Sequence, residues 1–278
     1  MTDLVSALPP EDQAELERAR ALLESPGLAV QLANVIGTPI DSLMRGLPGP
    51  ASRLVDKAAR KAVEVAFDAA RRTLRDEDAA APSLRLHQVA VAGSGAVGGF
   101  FGLPGLLVEL PVTTTTMLRS IADIARSEGA APGDPETRLD CLQVLALGGT
   151  RPDDDGAESG YFATRAALAQ QVTAAMRYVA SGVGTGSAPA IVQLVNGIAS
   201  RFSIPVTQKA LAQAAPLVGA ATGATLNLIF MRHFQSAARG HFIVRRLERR
   251  HGSAVVRAAC ARPLDPGQAS GVAPKSRK

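Results

Sequence analysis

Apolar positions along this chain recur every three to four residues in segment after segment, the period of a helix that buries one face. The clearest case is Leu54, Val55, Ala58, Ala62, Val65, Ala66 and Ala69, with Arg53, Asp56, Lys57, Arg60, Lys61, Glu64 and Asp68 on the other faces. This spacing predicts an amphipathic helix of about four to five turns. Glu11 to Glu24 reads as an acidic helix. Asp134-Pro135-Glu136 places a capping side chain, a first-turn proline and an acid in the order a helix start favours, and Gly148-Gly149 closes the run from Arg138 to Leu147. Tyr161 to Ser181 and Ala188 to Phe202 predict two more helices, the second opened by Ser187 and Pro189. No alternating series marks strands, so the predicted fold class is all-α. Loops are expected at Pro48 to Pro50, Ala79 to Ser83, Ala130 to Gly133 and Gly148 to Gly160. The predicted organisation is a single multi-helix domain over 11–262, with a flexible segment 1–10 before it and a disordered basic tail, 263–278, after it.

One segment departs from amphipathic patterning. Val89 to Leu118 holds a single charge, Glu109, and is long enough to span a bilayer. Glycines at 93, 95, 98, 99 and 102, together with Pro104-Gly105 and Pro111, break it and would leave amides unpaired in lipid. The expectation is therefore a Gly/Pro-interrupted apolar helical hairpin around Gly98, Gly99, Gly102, Pro104 and Gly105, packed in protein or dipping into the bilayer interface. Two further uncharged stretches, Tyr178 to Ser200 and Ala210 to Met231, are rich in small residues that allow close helix packing in either medium. Gly93 to Gly98 matches G-x-G-x-x-G, yet Pro104 interrupts the helix that pyrophosphate binding would need, and no second strand follows. Close packing is the favoured reading of these glycines, with nucleotide binding as an alternative.

Glu109, with Pro111, Thr115 and Arg119 beside it, forms the candidate functional group. A carboxylate among apolar residues has to be paired, protonated or near a surface. It is expected to cap a helix starting near Pro111 or to pair with Arg119. The functional alternative is a ligand- or proton-linked acid.

Composition changes this picture in two places. With 46% hydrophobic residues in 278 the chain can bury a real core, which excludes wholesale disorder. A mean hydropathy of +0.11 leaves membrane association open. The net charge of +5 is uneven: Arg232 to Lys278 carries 11 of the 30 Lys and Arg against two acids, so the rest of the chain is acidic. Within that end Arg232, Arg239, Arg246 and Arg250 form a stripe opposite the face Phe230, Phe234, Ala237, His241 and Val244. The stripe is a candidate contact for anionic lipid, whereas a nucleic-acid partner is not expected.

Several chemistries are set aside. His87, His233, His241 and His251 include no zinc-ligand spacing, and His241 falls on the apolar face as a packing residue. Cys141 and Cys260 exclude a disulfide scaffold and fit a reducing compartment, and Cys141 lacks a local histidine partner. Asp153 to Gly156 imitates part of a calcium loop, but Arg151 and Phe162 occupy ligand positions. No phosphate loop occurs, so neither metal nor cofactor is expected. Without a basic, apolar leader the expected compartment is the cytoplasm, or the periphery of the inner membrane.

The run Gly98 to Gly105, continuing through Glu109-Leu110-Pro111, Thr113 to Thr116, Met117 to Ala122 and Glu128-Gly129, closely resembles the central signature of the EcsC family. Leu145 to Gly149, Ser159 to Phe162 with Arg165, and then Pro216, Gly219, Asn227, Ala237-Ala238, Phe242 and Arg245 to Glu248 resemble its later parts in the same order. The resemblance covers roughly residues 50 to 252. It implies a link to ABC export, because the founding member is encoded beside the ATPase and membrane subunits of an exporter, while the family's own biochemical role is undefined. A protease label carried by some relatives finds no zinc-ligand set in this sequence. The resulting expectation is a non-catalytic, membrane-associated helical protein that assists a transport or cell-envelope process by binding a membrane surface or a membrane-protein partner. A hydrolase using Glu109 is the catalytic alternative.

Overall fold

The computed structural model describes residues 8–24, 27–45, 48–73, 84–148, 157–180, 189–213 and 220–261. The expected flexible start, other than 8–10, and the expected basic tail, 263–278, lie outside these residues. Among the described residues there are ten helices and no strand, so the chain is all-α. They are α1 (Pro10–Leu23), α2 (Leu28–Ile36), α3 (Ile40–Arg45), α4 (Gly49–Thr73), α5 (Leu84–Ser127), α6 (Pro135–Leu147), α7 (Ala157–Ala180), α8 (Pro189–Gln213), α9 (Ala220–His251) and α10 (Ser253–Cys260).

The amphipathic pattern around Leu54 becomes α4, which buries Val55, Ala58, Ala59, Ala62, Val63, Ala66, Phe67 and Ala70 against α5 and α8. α9 forms the axis of the molecule and packs on α5, α1, α10 and α2. Its predicted apolar face is buried throughout, with Phe230 and Phe234 meeting Phe202 of α8 at ring-centroid distances of 6.1 and 5.6 Å. A smaller core near the end of α9 joins Leu16 and Ala19 of α1 to Val244, Leu247, Val256 and Cys260.

Leu84–Ser127 is helical along its length, yet it cannot be one straight rod. His87 Nδ1 lies 3.7 Å from Asp123 Oδ2. In a straight helix those residues would be separated by roughly 54 Å, from the 1.5 Å rise per residue. Gln235 of α9 also accepts a hydrogen bond from Gln88 (2.7 Å) and donates one to Ser120 (2.8 Å). Asn227 Nδ2 donates both to the Val91 carbonyl and to Glu109, each at 2.9 Å. The chain therefore reverses between Val91 and Glu109, within the glycine- and proline-rich stretch, and forms the expected hairpin. Its two arms are stitched to α9 by polar side chains. The backbone of Gly98, Gly99, Gly102 and Pro104 is helical.

Two expectations need correction. The helix that was to end at Phe202 runs on through Pro205 to Gln213. A proline inside a helix removes one backbone bond and costs about 3 kcal/mol, which burial of Phe202, Val206 and Ala210 on the same helix offsets. No new helix starts near Pro111, which lies inside α5, so Glu109 has no amino end to cap.

Candidate functional site

Glu109 sits on the returning arm of the hairpin, 7% exposed, where α5, α8 and α9 meet. Its Oε1 accepts from Lys209 Nζ at 2.7 Å and from Asn227 Nδ2 at 2.9 Å, with Thr113 Oγ1 at 3.5 Å. Lys209 is 0% exposed and its ammonium lies 5.1 Å from the Phe230 ring centroid. Burial raises the cost of ionising Glu109, but the Lys209 charge and the surrounding hydrogen bonds outweigh it and hold the carboxyl below its usual range. The same burial pulls the Lys209 ammonium below its ordinary value despite Glu109. Each charge is thus tolerated because the other is present. The expected partner, Arg119, is instead exposed. Thr115 donates to the Pro111 carbonyl at 2.8 Å and so belongs to the helix backbone rather than to the carboxylate. Lys209 and Gln213, which bears on Glu109 from α8, were not singled out by sequence, and Asn227 entered only through the family resemblance, with no link to Glu109.

A second charged cluster lies at the opposite end of α9, in an open cleft of about 650 Å³ framed by α6, α7, α9 and α10. Two left-handed glycines shape its edge. Gly129, at φ +74°, ends α5: Ala130 N–H donates to the Ala125 carbonyl and Gly129 N–H to the Arg126 carbonyl, the pairing of a Schellman cap. Gly252, at φ +88°, turns α9 into α10. The predicted α6 start holds as well, with Asp134 accepting from Thr137 N at 3.3 Å.

Within the cleft Arg165 of α7 grips Glu248 of α9 through two bonds, of 2.8 and 2.9 Å. Arg245 donates to Asp140 at 2.8 Å, to Glu136 at 2.6 Å and to Glu248 at 3.3 Å. Burial pushes the Asp140 carboxyl up, against the pull of Arg245. Behind the pair, Arg165 also reaches the Tyr161 hydroxyl at 3.3 Å, and that hydroxyl meets His241 Nδ1 at 3.0 Å. His241 is fully buried, and burial together with Arg165 and Arg245 holds its pKa well below the ordinary value, so it is a neutral packing residue as expected. The resemblance quoted Tyr161, Arg165, Arg245 and Glu248 from two distant motifs; folding makes them one hydrogen-bonded ladder.

The arginine stripe divides. Arg246 pairs with Glu15 of α1 and with Glu128 (2.9 Å), and Arg250 pairs with Asp12 (2.7 Å), which also holds His251 at 2.6 Å. Arg246 and Arg250 therefore pair with acids within the chain, with Arg250 still 57% exposed. Arg232 and Arg239 are exposed. Gly93 to Gly98 lies inside α5 rather than between a strand and a helix start, so its backbone amides fall within a helix where a nucleotide would need a free amino end. Cys141 is buried with its thiol pushed far up by burial, and Cys260 is pushed up to about 11. Among the described residues no group of three or more His, Cys, Asp or Glu side chains is placed to hold a metal ion.

No curated protein and no solved structure matches this chain. The sequence profile of the EcsC protein family matches residues 14–247, from within α1 to Leu247 near the end of α9. Covering the hairpin together with Tyr161, Arg165 and Arg245 of the ladder, that match establishes that the chain belongs to the EcsC family.

Proposed function

We propose that this EcsC-family protein is a non-catalytic helical protein that assists a transport or cell-envelope process, of the kind linked to an ABC exporter, by resting on a membrane surface. The observation that carries the reading is the returning arm of the α5 hairpin. Val108 is 75% exposed and Val112 is 56% exposed, and Arg119 is exposed on the same face of that arm. Apolar side chains turned to solvent and followed by a basic residue are the pattern of a helix lying at an anionic interface. Among the described residues no helix is long and apolar enough to cross a membrane, which leaves surface contact as the mode proposed. Against the hydrolase alternative, Glu109 is sealed in the core by Lys209 and Asn227, where a substrate does not reach it.

Flotation of the full chain with vesicles of phosphatidylcholine and phosphatidylglycerol tests this. Binding is expected, and the variant Val108→Asp with Val112→Asp should lose it while melting as the parent does. Complete recovery of the parent in the soluble fraction at low salt, with no vesicle binding, overturns the proposal.

A further inference from the structure

The cleft beside α10 carries charge that its own pairing does not exhaust. Arg165 and Arg245 face three carboxylates, Glu136, Asp140 and Glu248, and Asp134 adds a fourth acid at the α6 edge. The floor is therefore short of positive charge. The α10 side has the reverse imbalance. Arg249 and Arg257 line it, and neither has a carboxylate partner among the described residues. Arg249 makes one weak bond, to the Glu128 carbonyl at 3.3 Å. Arg257 stands over the Phe162 ring, 5.5 Å from its centroid, which orients the guanidinium while leaving its in-plane N–H groups available. Ser253 adds a hydroxyl to that wall.

A purely anionic ligand would meet the excess carboxylates, and a purely cationic one would meet two guanidiniums that face no carboxylate. A molecule carrying both charges satisfies both walls, and the cleft volume of about 650 Å³ lies in the range of small-ligand sites. We propose that this cleft binds a small zwitterion, its ammonium against Asp140 and Glu136 and its phosphate or carboxylate between Arg249 and Arg257. The ladder of Arg165, Glu248 and Arg245 then serves to hold the acidic floor in place. This site is separate from the α5 face proposed to meet lipid.

Isothermal titration of the full chain tests it with phosphoethanolamine and β-alanine as zwitterions, and with inorganic phosphate and ethanolamine as half-ligands. At least one zwitterion should bind, and each half-ligand should bind at least about tenfold more weakly, the loss of one charge-assisted contact. Arg257→Ala should weaken zwitterion binding by a similar factor with an unchanged melting temperature, and Arg257→Glu should abolish it. Failure of both zwitterions to bind overturns the proposal, as does phosphate or ethanolamine alone binding equally well. Vesicles containing phosphatidylethanolamine separate the two sources of this chemistry. If Arg257→Ala reduces their capture the ligand is a lipid headgroup, and if it does not, a titration that succeeds in solution assigns the site to a free small molecule. Val108→Asp with Val112→Asp should leave the titration unchanged, so failure at the cleft and failure at the membrane face are read separately.

Discussion

Two of this protein's charged clusters, one around Glu109 and one around Glu248, differ in what surrounds them. Glu109 and Lys209 form one ion pair walled in by α5, α8 and α9, with Phe230 over the ammonium and Asn227 donating to the same carboxylate oxygen as Lys209. Arg165, Arg245, Glu248 and Asp140 form a branched ladder whose outer side opens on a cleft, with two further arginines beyond it. Charge in the first cluster is neutralised inside and fixes how three helices meet. In the second it is left partly unbalanced toward solvent, which is what a binding surface needs. Burial alone therefore does not identify a functional residue; access and residual charge do.

The sharpest test of that contrast is to remove one partner of the inner pair. Lys209→Ala or Glu109→Ala should cost about 3–5 kcal/mol in urea unfolding, because an uncompensated charge stays buried. The double variant Glu109→Leu with Lys209→Met should regain most of that loss. If Glu109→Ala melts as the parent does, the inner cluster is not structural and the comparison fails. Arg165→Ala should cost less, about 2–3 kcal/mol, since Arg245 still faces Glu248 at 3.3 Å. Urea unfolding of that variant beside Lys209→Ala measures the difference directly.

Acid provides a third test. His233 and His241 have pKa values lowered first by burial, so the unfolded chain binds more protons than the folded one below about pH 6.5. Stability should then fall as pH drops from 6.5, with His241→Phe reducing the slope. Glu109, with its lowered pKa, adds a further loss only as pH falls below the ordinary carboxyl range. A stability that stays flat between pH 7 and 5 would remove the assignment of buried, neutral histidines. The smallest effect is expected at the rim, where Arg249→Ala and Arg257→Ala should each change unfolding free energy by less than about 0.5 kcal/mol. A larger loss on thermal melting would make those arginines part of the scaffold rather than of a binding wall.

Much of the fold was legible because it rests on local pattern. The spacing around Leu54 became α4, Asp134-Pro135 became a capped helix start, and the glycines and prolines after Val91 marked where α5 turns back. The inner pair was half legible. Glu109 is the single charge between Val89 and Leu118, and Lys209 is the single charge between Phe202 and Met231. Two isolated charges of opposite sign in apolar segments were a usable signal, but the nearer Arg119 drew the pairing because sequence distance stood in for spatial distance. The cleft was not legible as a site. Its contacts join residues 83 and 105 positions apart, and no spacing rule spans such separations.

By itself the sequence determined the helical period, the hairpin's breakpoints, the uneven charge and the membership in the EcsC family, because each depends on neighbours along the chain or on a linear order of motifs. Only the tertiary structure decided which charges cancel. α1 takes up Arg246 and Arg250, α8 brings Lys209 to Glu109, and the turn at Gly252 sets α10 beside the α6 acids. Electrostatic pairing acts over a few ångströms of space, and packing alone fixes which residues share them.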